Sequence, residues 1–217
     1  MKNVGVLGTG MVGSTIGSKM IQLGYSVKMG SRSASNEKAT AWAASNGSSA
    51  SHGTFEDATR FGDVIFLCTR GDSTLNALKL SKAPNFKGKV VVDISNPLDF
   101  SKGMPPSLIP QFTNTNSLGE EVQKMLPDAH VVKTLNIVNC EVMVHPGKSG
   151  GDPTMFMSGN DAQAKATVRG ILNQFGWTDI IDLGDITTAR GLEMILPLWL
   201  RTWMATQNGH IGFKIVR

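Results

Sequence analysis

The sequence predicts an α/β fold with a doubly wound, mainly parallel sheet and helices at its C-terminal end. Three observations lead to this fold class. Short apolar runs alternate with stretches of helical periodicity along most of the 217 residues. The runs at 63–69 and 89–94 are almost continuously apolar, as parallel strands covered on both faces are. A glycine-rich turn follows the first apolar run and opens the first helical stretch.

The predicted elements follow one another in a regular order. Strands are expected at residues 3–7, 26–29, 49–51, 63–69, 89–94, 130–135, 154–158 and 178–183. Helices are expected at residues 11–23, up to 44, from 54, 117–126, 161–175 and 187–207. Gly24 and Asn46-Gly47 end the first two helices, and Thr54 followed by Glu56 and Asp57 is typical of a helix start.

Two segments have features of their own. Residues 101–116 are rich in proline and show little periodicity, which predicts a long loop that could cover an active site. In residues 187–207, apolar side chains recur at helical spacing and must be buried on the sheet or on another subunit. They are Leu192, Ile195, Leu196, Trp199, Leu200, Trp203 and Met204.

The composition is that of a globular protein, with 41% hydrophobic and 18% charged residues, and the length fits one domain over residues 1–217. The net charge of +4 favours an anionic partner, but the basic residues are scattered, so a phosphorylated small molecule fits better than nucleic acid.

No apolar run reaches the roughly 20 residues of a membrane helix. The N-terminus enters a strand at once, which favours the cytoplasm. Cys68 and Cys140 are far apart and are expected to be free thiols.

The most informative motif is Gly8-Thr9-Gly10-Met11-Val12-Gly13. It lies between the first strand and the first helix, which is the context of a dinucleotide-binding turn in a Rossmann-type fold. Gly8 allows the tight turn, Gly10 lets a pyrophosphate approach the backbone, and Gly13 lets the helix pack close to the strand. Free N–H groups at the helix start would bind the phosphates. An ordinary glycine-rich turn is the alternative.

The end of the second strand selects between NAD and NADP. An acidic residue there would bind the 2′-hydroxyl of the adenine ribose and repel a 2′-phosphate. Here the residues are Gly30-Ser31-Arg32. A hydroxyl beside a guanidinium suits a phosphate dianion, so NADP(H) is predicted as the cofactor. A solvated arginine is the alternative, and Lys38 could assist, although surface lysines are common on helices.

Polar residues follow the two predicted central strands, at the edge where ligands bind in open parallel sheets. These are Thr69-Arg70 and Asn96-Pro97, which are predicted to border the nicotinamide, with ordinary loop positions as the alternative. The four histidines are dispersed, and the sequence contains no metal-ligand spacing or catalytic triad. That pattern favours hydride transfer between two flat rings, because this reaction depends on alignment more than on a protein acid or base.

Together with the C-terminal stretches, these motifs resemble the F420-dependent NADP oxidoreductase family over nearly the whole chain. The C-terminal stretches are residues 189–193, 196–198 and 208–214. The resemblance implies that NADP is held by Thr9, Met11, Val12, Ser31 and Arg32. It also implies face-to-face hydride transfer to the deazaflavin F420, and a homodimer in which residues 187–217 would pack at the interface.

Three positions depart from the pattern of the archaeal members of this family. Ser33 stands where a second arginine is common, and Arg70 stands in a loop that is apolar and contains proline in those members. Asn136, followed by Ile137, aligns with a histidine of the deazaflavin region. The resemblance therefore places the substrate near Asn136 and Ile137, and leaves a flavin open beside F420 as the hydride acceptor.

Two other functions fit the sequence. A small-molecule dehydrogenase or imine reductase would need a catalytic lysine or histidine, and Lys133 and Lys148 are the candidates, although neither lies in a convincing constellation. A protein that senses NADP(H) without turnover would need only the nucleotide-binding turn, since a fold alone does not establish an activity.

Overall fold

Strands and helices alternate along the computed structural model of the chain, which describes residues 3–217. The strands are β1 (Asn3–Leu7), β2 (Ser26–Ser31), β3 (Ala50–Thr54), β4 (Val64–Leu67), β5 (Val90–Asp93), β6 (Leu98–Asp99), β7 (Ser107–Leu108), β8 (His130–Thr134), β9 (Thr154–Gly159) and β10 (Asp179–Asp182). The α-helices are α1 (Met11–Gln22), α2 (Glu37–Ser45), α3 (Phe55–Phe61), α4 (Gly71–Ser81), α5 (Leu118–Met125), α6 (Cys140–Val144), α7 (Ala162–Phe175), α8 (Ala189–Met194) and α9 (Leu196–Thr206).

Eight of these strands form one sheet, in the order β10-β9-β8-β5-β4-β1-β2-β3. Neighbouring strands are parallel except β8 and β9, which pair antiparallel. The predicted doubly wound, mainly parallel sheet is therefore confirmed. Because β1 lies between β2 and β4, the strand order reverses here, and the loops after β1, β4 and β5 meet at one edge.

The central strands supply two hydrophobic cores, one on each face of the sheet. In β4, Val64 and Phe66 belong to one core, whereas Ile65 and Leu67 belong to the other. This alternation is the two-residue period of a strand, and both faces are covered by helices, so the run must be apolar throughout.

Some elements differ from the sequence-based prediction. The pattern does not predict α4 or α6, because α4 starts with polar residues and α6 is a short helix capped by Asn139. The loop expected at 101–116 contains β7, which pairs with β6 in a small antiparallel hairpin. The helix expected at 187–207 is divided into α8 and α9, and Pro197 lies in the first turn of α9, where proline is tolerated.

The C-terminal apolar face is only partly covered by the chain itself. Leu192, Leu196, Trp199 and Leu200 are buried, whereas Trp203 and Met204 are exposed. None of the helices within residues 3–217 is both long enough and apolar enough to cross a membrane.

Candidate functional site

The turn between β1 and α1 has the geometry that the glycine spacing predicts. Gly8 has a φ of +127°, where side chains are rare, and a Cβ on it would lie 2.6 Å from the carbonyl oxygen of Cys68. A Cβ on Gly13 would lie 2.1 Å from the carbonyl oxygen of Gly8, so α1 packs directly on the turn. A Cβ on Gly10 would meet no atom within 4 Å, so the space next to this backbone is open.

The first turn of α1 can bind an anion. Gly10 is the N-cap residue of this 12-residue helix, no side chain bonds to its free N–H groups, and its first turn contains no acidic residue. The positive end of the helix dipole and the N–H groups therefore face the open space at Gly10. Together with the glycine contacts, this arrangement fits the pyrophosphate of a dinucleotide.

A cavity of about 470 Å³ extends from this turn towards the end of β2. It is lined by Gly8, Thr9, Gly10, Arg32, Lys38, Phe55, Cys68, Thr69, Arg70, Ser73, Asn76 and Ala77. Three cations line this cavity: Arg70 pairs with Asp72, whereas Lys38 joins Arg32 at the predicted phosphate end. Ser31 is buried, and its hydroxyl donates to the carbonyl oxygen of Ser33 and accepts from the Ser33 N–H.

A second cavity, of about 290 Å³, continues along the carboxyl ends of β1, β4 and β5. It is lined by Gly10, Met11, Val12, Cys68, Thr69, Arg70, Gly71, Ile94, Ser95, Asn96, Leu98 and Phe100. Four residues line both cavities, which therefore form one cleft; they are Gly10, Cys68, Thr69 and Arg70. The second cavity is mostly apolar, and burial together with the Asp93 carboxylate raises the pKa of the Cys68 thiol, so its sulfur is uncharged at neutral pH.

Arg70 connects the loop after β4 with the segment after β5. Its guanidinium lies 5.4 Å from the centroid of the Phe100 ring and forms an ion pair with Asp72. At Gly71, a Cβ would lie 2.0 Å from the carbonyl oxygen of Asn96, so only glycine allows the two loops to come this close. Phe100, which directly precedes the proline-rich segment, thus forms part of the cleft wall.

Asn96 and Asn136 bond to each other across the ends of β5 and β8. The Asn96 side-chain amide donates to the Asn136 carbonyl oxygen at 2.8 Å, and the Asn136 amide donates to Asn96 Oδ1 at 2.9 Å and to the Leu192 carbonyl oxygen at 2.8 Å. Asn136 is 2% exposed and Ile137 is 1% exposed, and neither is among the residues that line the cleft. Asn96 lines the cleft, whereas Pro97 is buried beside it.

Lys133, a candidate catalytic residue in the sequence, is held in a buried ion network. Its Nζ lies 3.0 Å from Asp93 Oδ2 and 2.8 Å from Glu193 Oε1, and donates to the Ser95 carbonyl oxygen at 2.6 Å. Burial lowers the pKa of Lys133, but the two carboxylates outweigh burial and raise the pKa above its ordinary value. The ammonium has three N–H bonds, and all three are used within the network. Lys133 therefore has no N–H group free to bond to a ligand, and its side chain is completely buried.

Lys148, the other candidate, lies in a different part of the surface. It is exposed, pairs with Glu141, and lines a separate cleft beside α1 and α6. The sequence pattern missed several contributors to the main cleft, among them the apolar side chains of Phe55, Leu98 and Phe100. Phe55 follows the helix cap at Thr54, which is the one signal that could have drawn attention to it.

Comparisons with known proteins agree with this geometry. The family model described as "NADP oxidoreductase coenzyme F420-dependent" matches residues 3–97. The chain is 33% identical over 160 residues to the F420-dependent NADP reductase of Methanocaldococcus jannaschii, covering 74% of this chain and 70% of the relative.

Solved structures extend the similarity to the whole chain. A protein from Arthrobacter sp. FB24 proposed to be an F420-dependent NADP reductase is 45% identical, with a TM-score of 0.93 and full coverage of both chains. An imine reductase from Bacillus cereus BAG3X2 has a TM-score of 0.64 at 21% identity, covers 95% of this chain and 63% of its own, and so shares the fold alone. The glycine-rich turn after β1, the cleft and these relatives together show that the chain belongs to the coenzyme F420-dependent NADP oxidoreductase family.

Proposed function

We propose that the chain transfers a hydride between NADP(H), bound along the cleft, and a second flat ring, either F420 or a flavin. The observation that carries the proposal is the continuity of the cleft. It runs from two cations, Arg32 and Lys38, through the open backbone of Gly10 to an apolar cavity at Phe100. A phosphorylated nucleotide with a flat ring at its other end has the same order of groups.

The adenosine end of the cofactor would lie between Arg32 and Lys38. Their charges attract a 2′-phosphate, and no acidic residue among positions 3–217 lines this cavity. The pyrophosphate would lie at the N-terminus of α1, against the backbone of Thr9, Gly10, Met11 and Val12. The Ser31 hydroxyl stabilises the turn that carries Arg32, through its bonds to Ser33.

The nicotinamide would lie in the second cavity, whose mainly apolar lining also contains four polar side chains, those of Thr69, Arg70, Ser95 and Asn96. NADPH supplies the hydride when it is bound. The protein orients the ring, and Phe100 and Leu98 exclude water from one side. Asn136 would act through Asn96, which it bonds, and Ile137 would support that pair from the core.

The chemistry of the lining favours a flat redox acceptor over an imine or a hydroxy acid. Reduction of an imine requires a proton on nitrogen as well as a hydride, and His, Asp, Glu and Lys are absent from the lining of the second cavity within the described residues. Lys133 is sequestered. A deazaflavin or flavin delocalises the added charge over its ring and can take its proton from solvent.

Turnover with defined acceptors tests this proposal. The purified chain is mixed with NADPH and either F420 or FMN, and the loss of reduced-nicotinamide absorbance is followed, with an imine substrate in a parallel reaction. We expect oxidation of NADPH with at least one of the two flat acceptors. Tight NADPH binding without oxidation by either acceptor would overturn the proposal and favour a sensing protein.

We also propose that residues 1–217 form one domain that assembles as a homodimer through the C-terminal helical segment, residues 187–217. The support is a group of exposed apolar side chains on α8 and α9. They are Met194, Leu198, Trp203 and Met204. Such side chains on one helix pair favour burial against a partner. Action in the cytoplasm, expected from the sequence, stays a prediction.

A further inference from the structure

Three completely buried ionisable side chains lie close to the cofactor cleft and have no part in the chemistry described above. They are Asp93 at the end of β5, Lys133 on β8 and Glu193 on α8, all 0% exposed. Asp93 and Lys133 are directly opposite each other in the parallel register of β5 and β8. We refer to these three residues as the ion triad.

The ion triad bonds to the loop that lines the cleft. Asp93 Oδ1 accepts from the Ser95 N–H at 2.9 Å and from the Ser95 hydroxyl at 2.6 Å. Lys133 donates to the carbonyl oxygen of the same residue at 2.6 Å. Every polar group of Ser95 is therefore bonded to the triad, which determines where the chain continues into Asn96. Both Ser95 and Asn96 line the second cavity.

The ion triad also bonds to helices outside the sheet edge. Glu193 Oε2 accepts from the Leu118 N–H at 2.8 Å, and its Oε1 accepts from the Gly119 N–H at 2.9 Å, at the start of α5. The preceding residue of α8, Leu192, accepts from the amide of Asn136, the partner of Asn96. Helix α8 is thus linked to residues 95 and 96 in two ways, through Lys133 and through Asn136.

Stability alone does not explain three buried charges. Removing charges from water is unfavourable, and apolar side chains of similar volume often stabilise a core equally well or better. An apolar replacement would leave the N–H, hydroxyl and carbonyl of Ser95 without these partners. The three charged side chains are therefore better explained by the orientation of Ser95 than by the stability of the core.

We propose that the ion triad is a positioning device, with Lys133 as its central positioning residue, that holds Ser95 and Asn96 in the orientation required by the nicotinamide. This inference rests on the proposed function. The triad touches neither hydride donor nor acceptor, so it affects the transfer step through the loop. It leaves the binding of the adenosine end, at Arg32 and Lys38, unchanged.

The test compares Lys133→Met and Glu193→Gln with the full-length wild type and with a matched control, Lys165→Met. Lys165 is also a largely buried lysine that joins a carboxylate, Asp182, to a carbonyl oxygen, that of Gly184, but it lies by β10 at the sheet edge. Glu193→Gln keeps the side-chain volume and one acceptor oxygen while it removes the charge and the second acceptor, so it is a milder change and remains informative if Lys133→Met does not fold.

Three quantities are measured for each folded variant. Hydrogen exchange without NADP reports the amides of Ser95, Leu118 and Gly119, which donate to triad carboxylates. Titration gives the dissociation constant of NADPH, and single-turnover kinetics with F420 or FMN give the hydride-transfer rate. We expect faster exchange at Ser95, a dissociation constant within about threefold of wild type, and a rate roughly 10- to 100-fold lower. Lys165→Met should match wild type in all three.

Unchanged transfer rates in folded triad variants would overturn the inference, as would equal losses of NADPH affinity and rate. If the wild type itself transfers no hydride, the proposed function fails. The positioning role is then decided by the fluorescence of bound NADPH, whose nicotinamide emission should change in Glu193→Gln and not in Lys165→Met. Identical emission in both would overturn it.

Discussion

At the residue scale, we propose that the selection of the cofactor depends on cations at the end of β2. The chain has Ser33 where a second arginine would add charge, but Lys38, on α2, lines the same cavity as Arg32. The phosphate end therefore has two cations from different elements. Arginine can bind a phosphate through two parallel hydrogen bonds, whereas lysine acts as a point charge, so Arg32 should contribute more than Lys38.

Arg32→Ala tests this division of roles. We expect the dissociation constant of NADP to rise roughly ten- to hundredfold, the usual loss for a hydrogen-bonded charge pair, whereas NAD affinity stays the same. Lys38→Ala should have a smaller effect in the same direction. Isothermal titration calorimetry measures both, and Arg60→Ala, which removes an exposed cation on α3, is the control. Equal losses for NADP and NAD in Arg32→Ala would contradict the assignment.

Two glycines in the turn between β1 and α1 have different roles: Gly10 allows a ligand to approach the backbone, and Gly13 allows α1 to pack on the turn. The Gly10 backbone has an ordinary φ of −81°, and a Cβ added there would have free space. Gly10→Ala should therefore fold with unchanged thermal stability. It should nevertheless lose NADPH affinity, because the added Cβ would occupy the path of the pyrophosphate. At Gly13 a Cβ meets the Gly8 carbonyl oxygen at 2.1 Å, so Gly13→Ala should lower the melting temperature. Thermal melts and NADPH titration measure both effects. A stable Gly10→Ala variant with full affinity would place the pyrophosphate elsewhere.

The sequence predicts those residues of the cleft whose role is local. The glycine-rich turn at residues 8–13 and the strand ends at Thr69 and Asn96 are recognisable because the backbone at these points requires particular residue types. Lys38 and Phe100 have no local signature, because what brings them to the cleft is the packing of α2 and of the segment after β5. The burial of Lys133 is equally invisible in the sequence, since its partners lie 40 and 60 residues away.

At the element scale, α3 carries a cleft residue on a capped helix start. The Thr54 hydroxyl accepts from the Asp57 N–H, the Asp57 carboxylate accepts from the Thr54 N–H, and Phe55 of this first turn lines the same cavity as Arg32. The sequence predicts the helix start at Thr54, and the structure adds the reciprocal bond from Asp57 that makes it a capping box. Helix α4 was not, because its polar first turn conceals the apolar face formed by Ala77 and Leu78.

Thr54→Ala should lower the free energy of unfolding by about 1 kcal/mol, the typical contribution of an N-cap side chain, as measured by urea denaturation. Thr40→Ala, on the exposed face of α2, is the control and should change the free energy of unfolding little. Thr59 is buried and would not serve as a control. A loss as large in Thr40→Ala would show that the cap has no special role.

The same cap predicts a pH dependence. Hydrogen bonds from the Thr54 hydroxyl and N–H lower the pKa of Asp57 below its ordinary 3.8, so the folded state binds this proton less readily than the unfolded state. The stabilisation is therefore complete above the ordinary pKa and is lost as the pH falls through the lowered folded value. The difference in unfolding free energy between wild type and Asp57→Asn should shrink in that acidic range. A difference that is constant with pH would contradict the ionised cap.

At the scale of the whole molecule, the antiparallel pairing of β8 and β9 marks the end of the parallel arrangement. The alternation of strands and helices predicted a mainly parallel sheet but contained no sign of this reversal, because pairing direction depends on how distant segments meet. The C-terminal helices pack with Leu196, Trp199 and Leu200 and leave Leu198 56% exposed. Their sequence periodicity predicted burial without distinguishing the chain's own sheet from a partner.

Leu198→Glu should therefore dissociate the proposed homodimer. Light scattering after size exclusion should give twice the 23.2 kDa chain mass for the wild type and the single mass for the variant, because a charge replaces an apolar contact. Leu80→Glu, at another exposed leucine on α4, is the matched control and should stay dimeric. A monomeric wild type would contradict the dimer without affecting the cleft.

A preference for the phosphorylated nucleotide is the central property that we propose for the cleft. Calorimetric titration of the wild-type chain with NADPH and with NADH, in the same buffer and at the same ionic strength, compares them without assuming any acceptor. We predict that NADPH binds at least about tenfold more tightly, as one charge-assisted phosphate contact suffices to give. Equal affinities, or tighter binding of NADH, would contradict the account.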